Sequence, residues 1–97
     1  MGMHNPPHPG EFIQATYIDP YDTSVRALSE SLDVSASTIN RIINGQSGIT
    51  PAMALRLSKA LGRSPESWLA MQHQYDLWHA KREVDLKSVK KFKFKAA

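Results

Sequence analysis

The residues best placed for chemistry in this 97-residue chain lie close together, in the run Ser35-Ala36-Ser37-Thr38-Ile39-Asn40-Arg41-Ile42-Ile43-Asn44. Ile39, Ile42 and Ile43 recur at helical spacing and define one apolar face. With that face turned inward, Ala36, Ser37, Thr38, Asn40, Arg41 and Asn44 are left outside, all of them short, polar or cationic. Such a set suits hydrogen bonding to the edges of bases. Arg grips guanine with two hydrogen bonds, Asn does the same with adenine, and Ala or Thr touches the thymine methyl. Ser and Thr in the first turn, beside its free N–H groups, can hold phosphate. The plainer alternative is a two-helix corner of a small bundle with a solvated polar face.

The elements that must position this face can be read on either side of it. Val25, Leu28 and Leu32 share a face and predict a short helix just before it. Asp33 stands at the turn, where a left-handed backbone is often needed and Asp tolerates it. Val34 is apolar and can plug the gap between the helices, and Ser35 is a good N-cap. Asn44-Gly45 supplies the stop. Ser24–Gly45 therefore reads as a helix-turn-helix, whose second helix lies in the DNA major groove. In the following loop, with Gly48 as its flexible point, Gln46 and Ser47 can lean against phosphate.

The remaining chain reads as three more helices, giving an all-α, five-helix domain over residues 8–83. Pro9 suits the first position of a helix running to about Ile18, with Glu11 in its first turn and Phe12, Ile13, Thr16 and Tyr17 buried. Asp19-Pro20 ends it. Thr50-Pro51 starts a helix that buries Met53, Ala54, Leu57 and Leu61, and Gly62 closes it. Ser64-Pro65-Glu66 opens a last helix to about Glu83, with Trp68, Met71, Tyr75 and Trp78 along one face and Leu69 and Leu77 beside it. That helix is long for so small a domain. Part of its apolar surface, involving Trp68, Leu69, Tyr75 and Trp78, is expected to meet a second copy of the chain. A two-fold dimer would set two reading helices one DNA turn apart, ~34 Å, on a palindromic site. The alternative is that both tryptophans fill the monomer core.

Charge is divided unevenly. Residues 1–85 carry 7 Lys and Arg against 9 Asp and Glu, whereas residues 86–97 carry 5 Lys and no acid, so the net +3 belongs to the tail. A mildly acidic body is a poor start for phosphate neutralisation, so position matters more than the sum, and Arg41 and Arg26 would face DNA. The lysine-rich tail, residues 84–97, leaves three readings open: a solvated tail first, then a strand added to a partner's sheet edge, then a phosphate-binding arm. With no cysteine, disulfides and thiolate metal sites are excluded, which suits a reducing cytoplasm. No apolar run approaches the ~20 residues of a membrane span, and the N-terminus lacks a signal-peptide core.

No catalytic constellation is visible, so no enzyme, cofactor or small-molecule substrate is expected. His4 and His8 are four apart, but Pro6, Pro7 and Pro9 break any helix there and no third ligand is near. No metal site is expected. His73 and His79 lie on different helix faces, and Ser29, Ser31 and Ser58 read as helix-surface serines. The chain offers at most one candidate strand, at the tail, so an enzyme built around a sheet is not expected.

The order HPGEF, then SVRALSESLDVSASTINRIINGQSGIT, then PAMALRLSKALGRSPESWLAMQHQYDLW resembles the HigA-type antitoxins, within the lambda-repressor-like (XRE) helix-turn-helix superfamily. The match covers about residues 8 to 80. The resemblance implies a dimeric, five-helix, lambda-repressor-like DNA-binding domain that represses its own operon. It also implies a protein partner, a HigB toxin, which is a RelE-like endoribonuclease that cleaves mRNA on the ribosome. It implies DNA contact at Ala36, Ser37, Thr38, Asn40 and Arg41, the set already exposed by the pattern. Three departures stand out. Val25 replaces a Gln that often bonds phosphate, Asp33 replaces a turn Gly, and Ala36 offers only a methyl contact. They suggest a read-out centred on Asn40 and Arg41. A stand-alone dimeric repressor with no toxin would carry the same DNA-binding face.

Overall fold

The computed structural model describes residues 5–96. Its five α-helices are α1 (Pro9–Ile13), α2 (Val25–Leu32), α3 (Ala36–Ile43), α4 (Pro51–Leu61) and α5 (Pro65–Glu83), with no strand among the described residues. The fold is all-α, and no described helix is long and apolar enough to cross a membrane.

Four of the starts are set by the residue just before the helix. Ser24, Ser35, Thr50 and Ser64 each accept, through the side-chain oxygen, a backbone N–H from the first turn, at 3.1, 3.1, 3.2 and 3.0 Å. Each bond satisfies a donor that has no partner inside its helix. Asp33 sits at φ 57°, the left-handed turn residue expected between α2 and α3. The exposed carbonyls at the end of α2 find a distant donor: the Arg56 guanidinium reaches the Leu32 and Asp33 oxygens at 2.8 and 3.1 Å.

The first helix differs from expectation. Its α-helical part stops at Ile13, and Gln14–Ile18 form a π turn followed by a 3-10 turn over Asp19–Tyr21. Ile13 and Ile18 are five apart and both buried, which the i→i+5 repeat of a π turn allows and an α-helix does not. Phe12, Thr16 and Tyr17 are only half-buried.

The core gathers one to three side chains from every helix: Ile13, Leu28, Leu32, Ile39, Ile42, Met53, Ala54, Leu57 and Trp68. Ile49, read as a loop residue, is buried in it as well. Two sequence readings are corrected here. Trp68 has no exposed surface, its indole N–H donates to the Gly62 carbonyl at 3.0 Å, and its ring packs on Phe12 and Tyr17. It fills the monomer core and cannot touch a second copy. Ser29 is also buried, its hydroxyl returned to the Arg26 carbonyl at 2.7 Å.

Beyond Glu83 the described tail is exposed and has no regular structure apart from one turn at Lys87–Ser88. The rings of Phe92 and Phe94 meet each other at 4.8 Å. No partner strand faces this segment among the described residues, so the strand reading gains nothing within the chain.

Candidate nucleic-acid interface

Helix α3 divides cleanly. Ile39 and Ile42 are 1% and 2% exposed, whereas Ser37, Asn40, Arg41 and Asn44 are exposed. Ile43 is half-buried rather than inward. Ala36 and Thr38 are half-buried too, and the Thr38 hydroxyl is shared with the Ser35 hydroxyl at 2.9 Å, so it serves the cap first. Arg41 donates to the Ser37 hydroxyl at 2.9 Å, four residues back. That bond lays the guanidinium along the outer face of α3. Val25, Arg26, Ala36 and Asn40 line the cleft between α2 and α3, so Arg26 stands beside the reading face as expected. Val25 offers no hydrogen bond there.

The end of α3 turns sharply at Gly45, φ 76°, and the N–H groups of Gln46 and Ser47 both return to the Arg41 carbonyl at 2.8 and 3.2 Å. Gln46 is left exposed beside Asn44. The face therefore presents a cation bonded to a serine hydroxyl, one primary amide on α3, a second at its C-cap and a third in the loop. Its chemistry is hydrogen bonding and phosphate attraction.

Three supports of this face escaped sequence reasoning. His8 is buried and opens α1 with a capping box: its Nδ1 accepts the Gly10 N–H at 2.9 Å, and Glu11 accepts the His8 N–H at 3.2 Å. The Tyr75 ring meets its imidazole edge-on at 4.8 Å, and a backbone hydrogen bond ties it to Ser47. Burial holds the His8 pKa below the usual imidazole value, against the pull of Asp76 and Glu11 and the bond to Ser47. Gly10 lies against the backbone of Ile42 and Ile43, so closely that a Cβ would run into the Ile42 carbonyl. Gln72, buried on α5, accepts the Ile49 N–H at 2.8 Å. Only the HPGE run, with its Pro at the first helical position, hinted at the first two.

As a metal ligand His8 is already committed at Nδ1, and His4 lies outside the described residues. No group of three acidic or histidine side chains suited to a metal occurs among the described residues.

The outer side of α5 is a second, different surface. Leu77 is 55% exposed, while Leu69, Tyr75 and Trp78 are half-buried. The Arg82 guanidinium lies 3.9 Å from the Trp78 ring centre.

Known proteins share both the sequence and the fold. The helix-turn-helix family model matches residues 16–68. The chain is 34% identical over 91 residues to YddM of Escherichia coli K12, described as an uncharacterized HTH-type transcriptional regulator, covering 94% of this chain and 96% of that one. The solved structure of antitoxin GraA in complex with its operator has a TM-score of 0.83 at 34% identity and covers 97% of each chain. That of Pseudomonas aeruginosa antitoxin HigA with the higBA promoter has a TM-score of 0.74 at 34% identity, covering 82% of this chain and 96% of that one.

Proposed function

Because the chain belongs to the helix-turn-helix family and, within it, to the HigA- and GraA-like antitoxins, we propose that it is a dimeric repressor of its own operon that also neutralises a RelE-like, mRNA-cleaving HigB toxin. The observation that carries the DNA half is α3 itself, with isoleucines sealed beneath it and Ser37, Asn40, Arg41 and Asn44 exposed above. Arg41 is the guanine reader and Asn40 the adenine reader, each by paired hydrogen bonds. Ala36 offers a methyl to thymine. Ser37 and Gln46 hold phosphate at the two ends of the helix, which fixes register without reading sequence. The chain works by binding rather than catalysis, in the cytoplasm where DNA and ribosomes are both at hand.

The dimer uses the outer half of α5, with Leu69, Tyr75, Leu77 and Trp78 covered by their counterparts. Leu77 in water is the observation that supports this face. Two-fold pairing then requires a palindromic operator. The toxin half rests on kinship with antitoxins.

A pair of deletions tests it. Removing this gene alone should arrest growth, and removing it together with its immediate neighbours should restore growth. If both strains grow equally well, no neighbour encodes a toxin and the chain is a stand-alone repressor. A footprint on the gene's own promoter checks the DNA half separately.

A further inference from the structure

The loop after α3 is held in place by a residue far away in the chain. Gln72 sits in the middle of α5, 23 residues beyond Ile49, and its Oε1 accepts the Ile49 N–H at 2.8 Å. Its Nε2 donates to the Asp76 carboxylate at 2.9 Å. With a donor on one side and an acceptor on the other, the amide has a single satisfactory orientation. The side chain is 7% exposed and lies flat against Gly48, where a Cβ would come within 2.8 Å of the amide carbon. A side chain at position 48 would push the amide aside, so Gly48 lets the loop backbone rest on it. On the other flank His8 bonds the backbone at Ser47. A connecting loop of this kind is ordinarily the mobile part of a small domain. This one is held at Ser47 by the residue that caps α1 and at Ile49 by α5.

Apolar burial alone would close the loop, since Ile49 already enters the core. What the amide adds is direction, because a hydrogen bond fixes the backbone where burial only holds it near. We propose that Gln72 is a positioning residue for operator binding. It holds the Ile49 N–H, backs Gly48, and so sets the pose in which Gln46 and Ser47 meet the DNA backbone. The same bond ties that pose to α5, the helix whose outer side forms the dimer contact. The inference rests on the DNA-reading face proposed above.

The test uses the full chain, a duplex carrying its promoter operator, and the variant Gln72→Met, which keeps length and loses both hydrogen bonds. Well below the melting temperature, Gln72→Met should weaken operator binding about three- to tenfold, the scale of one or two lost hydrogen bonds. In a Gln46→Ala, Ser47→Ala background the same change should weaken it no further, because the groups it positions are gone. An equal loss in both backgrounds makes Gln72 merely structural and overturns the proposal, as does an unchanged Kd. Arg41→Ala serves as the control: if it too leaves binding intact, the reading face itself is wrong, whereas its loss beside an unaffected Gln72→Met sinks only the role of Gln72. Should Gln72→Met fail to fold, the wild-type chain decides by NMR. Operator addition should shift the amides of Gln46–Ile49 and the Gln72 side-chain NH2, and shifts confined to residues 36–44 would refute the proposal.

Discussion

Helices α3 and α5 begin alike and end differently. Each starts on a serine whose oxygen caps the first turn. From there α3 runs for 8 residues with its apolar side chains on one side only. Helix α5 runs for 19 and scatters them: Trp68 inside, Tyr75 and Trp78 half-covered, Leu77 in water. A helix that spends all its hydrophobic surface on its own core leaves a polar face, and such a face fits a polar, charged partner. A helix that keeps apolar surface outside has area to offer a second protein surface. The contrast fits the two partners proposed above, DNA for α3 and a second copy of the chain for α5.

The sharpest way to break that contrast is Ile39→Asp. It puts an unpaired carboxylate into a site with 1% exposure, and the expected loss of more than about 4 kcal/mol unfolds the domain. A thermal melt followed by circular dichroism reads it directly, and a wild-type curve would mean that α3 is not the sealed helix described. Arg41→Ala comes next. It should leave the melt alone and cost about 1–3 kcal/mol of operator binding, relaxing preference at one base pair. Titrations against operator and random duplexes separate loss of reading from loss of attraction. On α5, Leu77→Asp should do the reverse, leaving the fold intact while weakening self-association by about 1–2 kcal/mol. Sedimentation against concentration checks it, and a dimer indifferent to Leu77→Asp would put the contact elsewhere.

The smallest effect concerns pH at the joint between the two helices. The folded chain holds the His8 pKa below its ordinary 6.5, chiefly by burial. The unfolded chain thus takes up the proton first as pH falls. The stability His8 contributes is whole above pH 6.5 and is lost progressively below it. Protonation would also remove the Nδ1 acceptor that caps α1. Melting temperatures should decline gently from pH 7 to pH 5, and His8→Asn, which keeps a capping oxygen, should flatten that decline.

Much of this could be read directly along the chain. The caps at Ser35, Thr50 and Ser64, the prolines behind two of them, the left-handed Asp33 and the stops at Gly45 and Gly62 are local events, decided by residues within one turn of each other. The inward face of α3 followed from the spacing of its isoleucines. The exposed reading set followed by subtraction, apart from Ala36 and Thr38, which are half-buried, the Thr38 hydroxyl turned back to its cap.

What the pattern missed is non-local. Ser29, Ile49 and Gln72 look like surface or loop residues and are buried only once the helices pack together. Trp68 reads as part of a continuous apolar stripe with Tyr75 and Trp78, and only the packing of α5 on Phe12 and Tyr17 shows where the core ends and the outer surface begins. Gly48 reads as the flexible point of a loop and Gly10 as one more residue of the first helix, although at each another part of the chain comes too close for a Cβ. Local sequence determined which helices form, where they start, and which side of α3 is polar, since those depend on hydrogen bonds and periodicity within a few residues. Tertiary structure alone decided how α1 and α5 grip the loop beside the reading helix, because that grip joins residues 23 or more positions apart through close packing that no local pattern records.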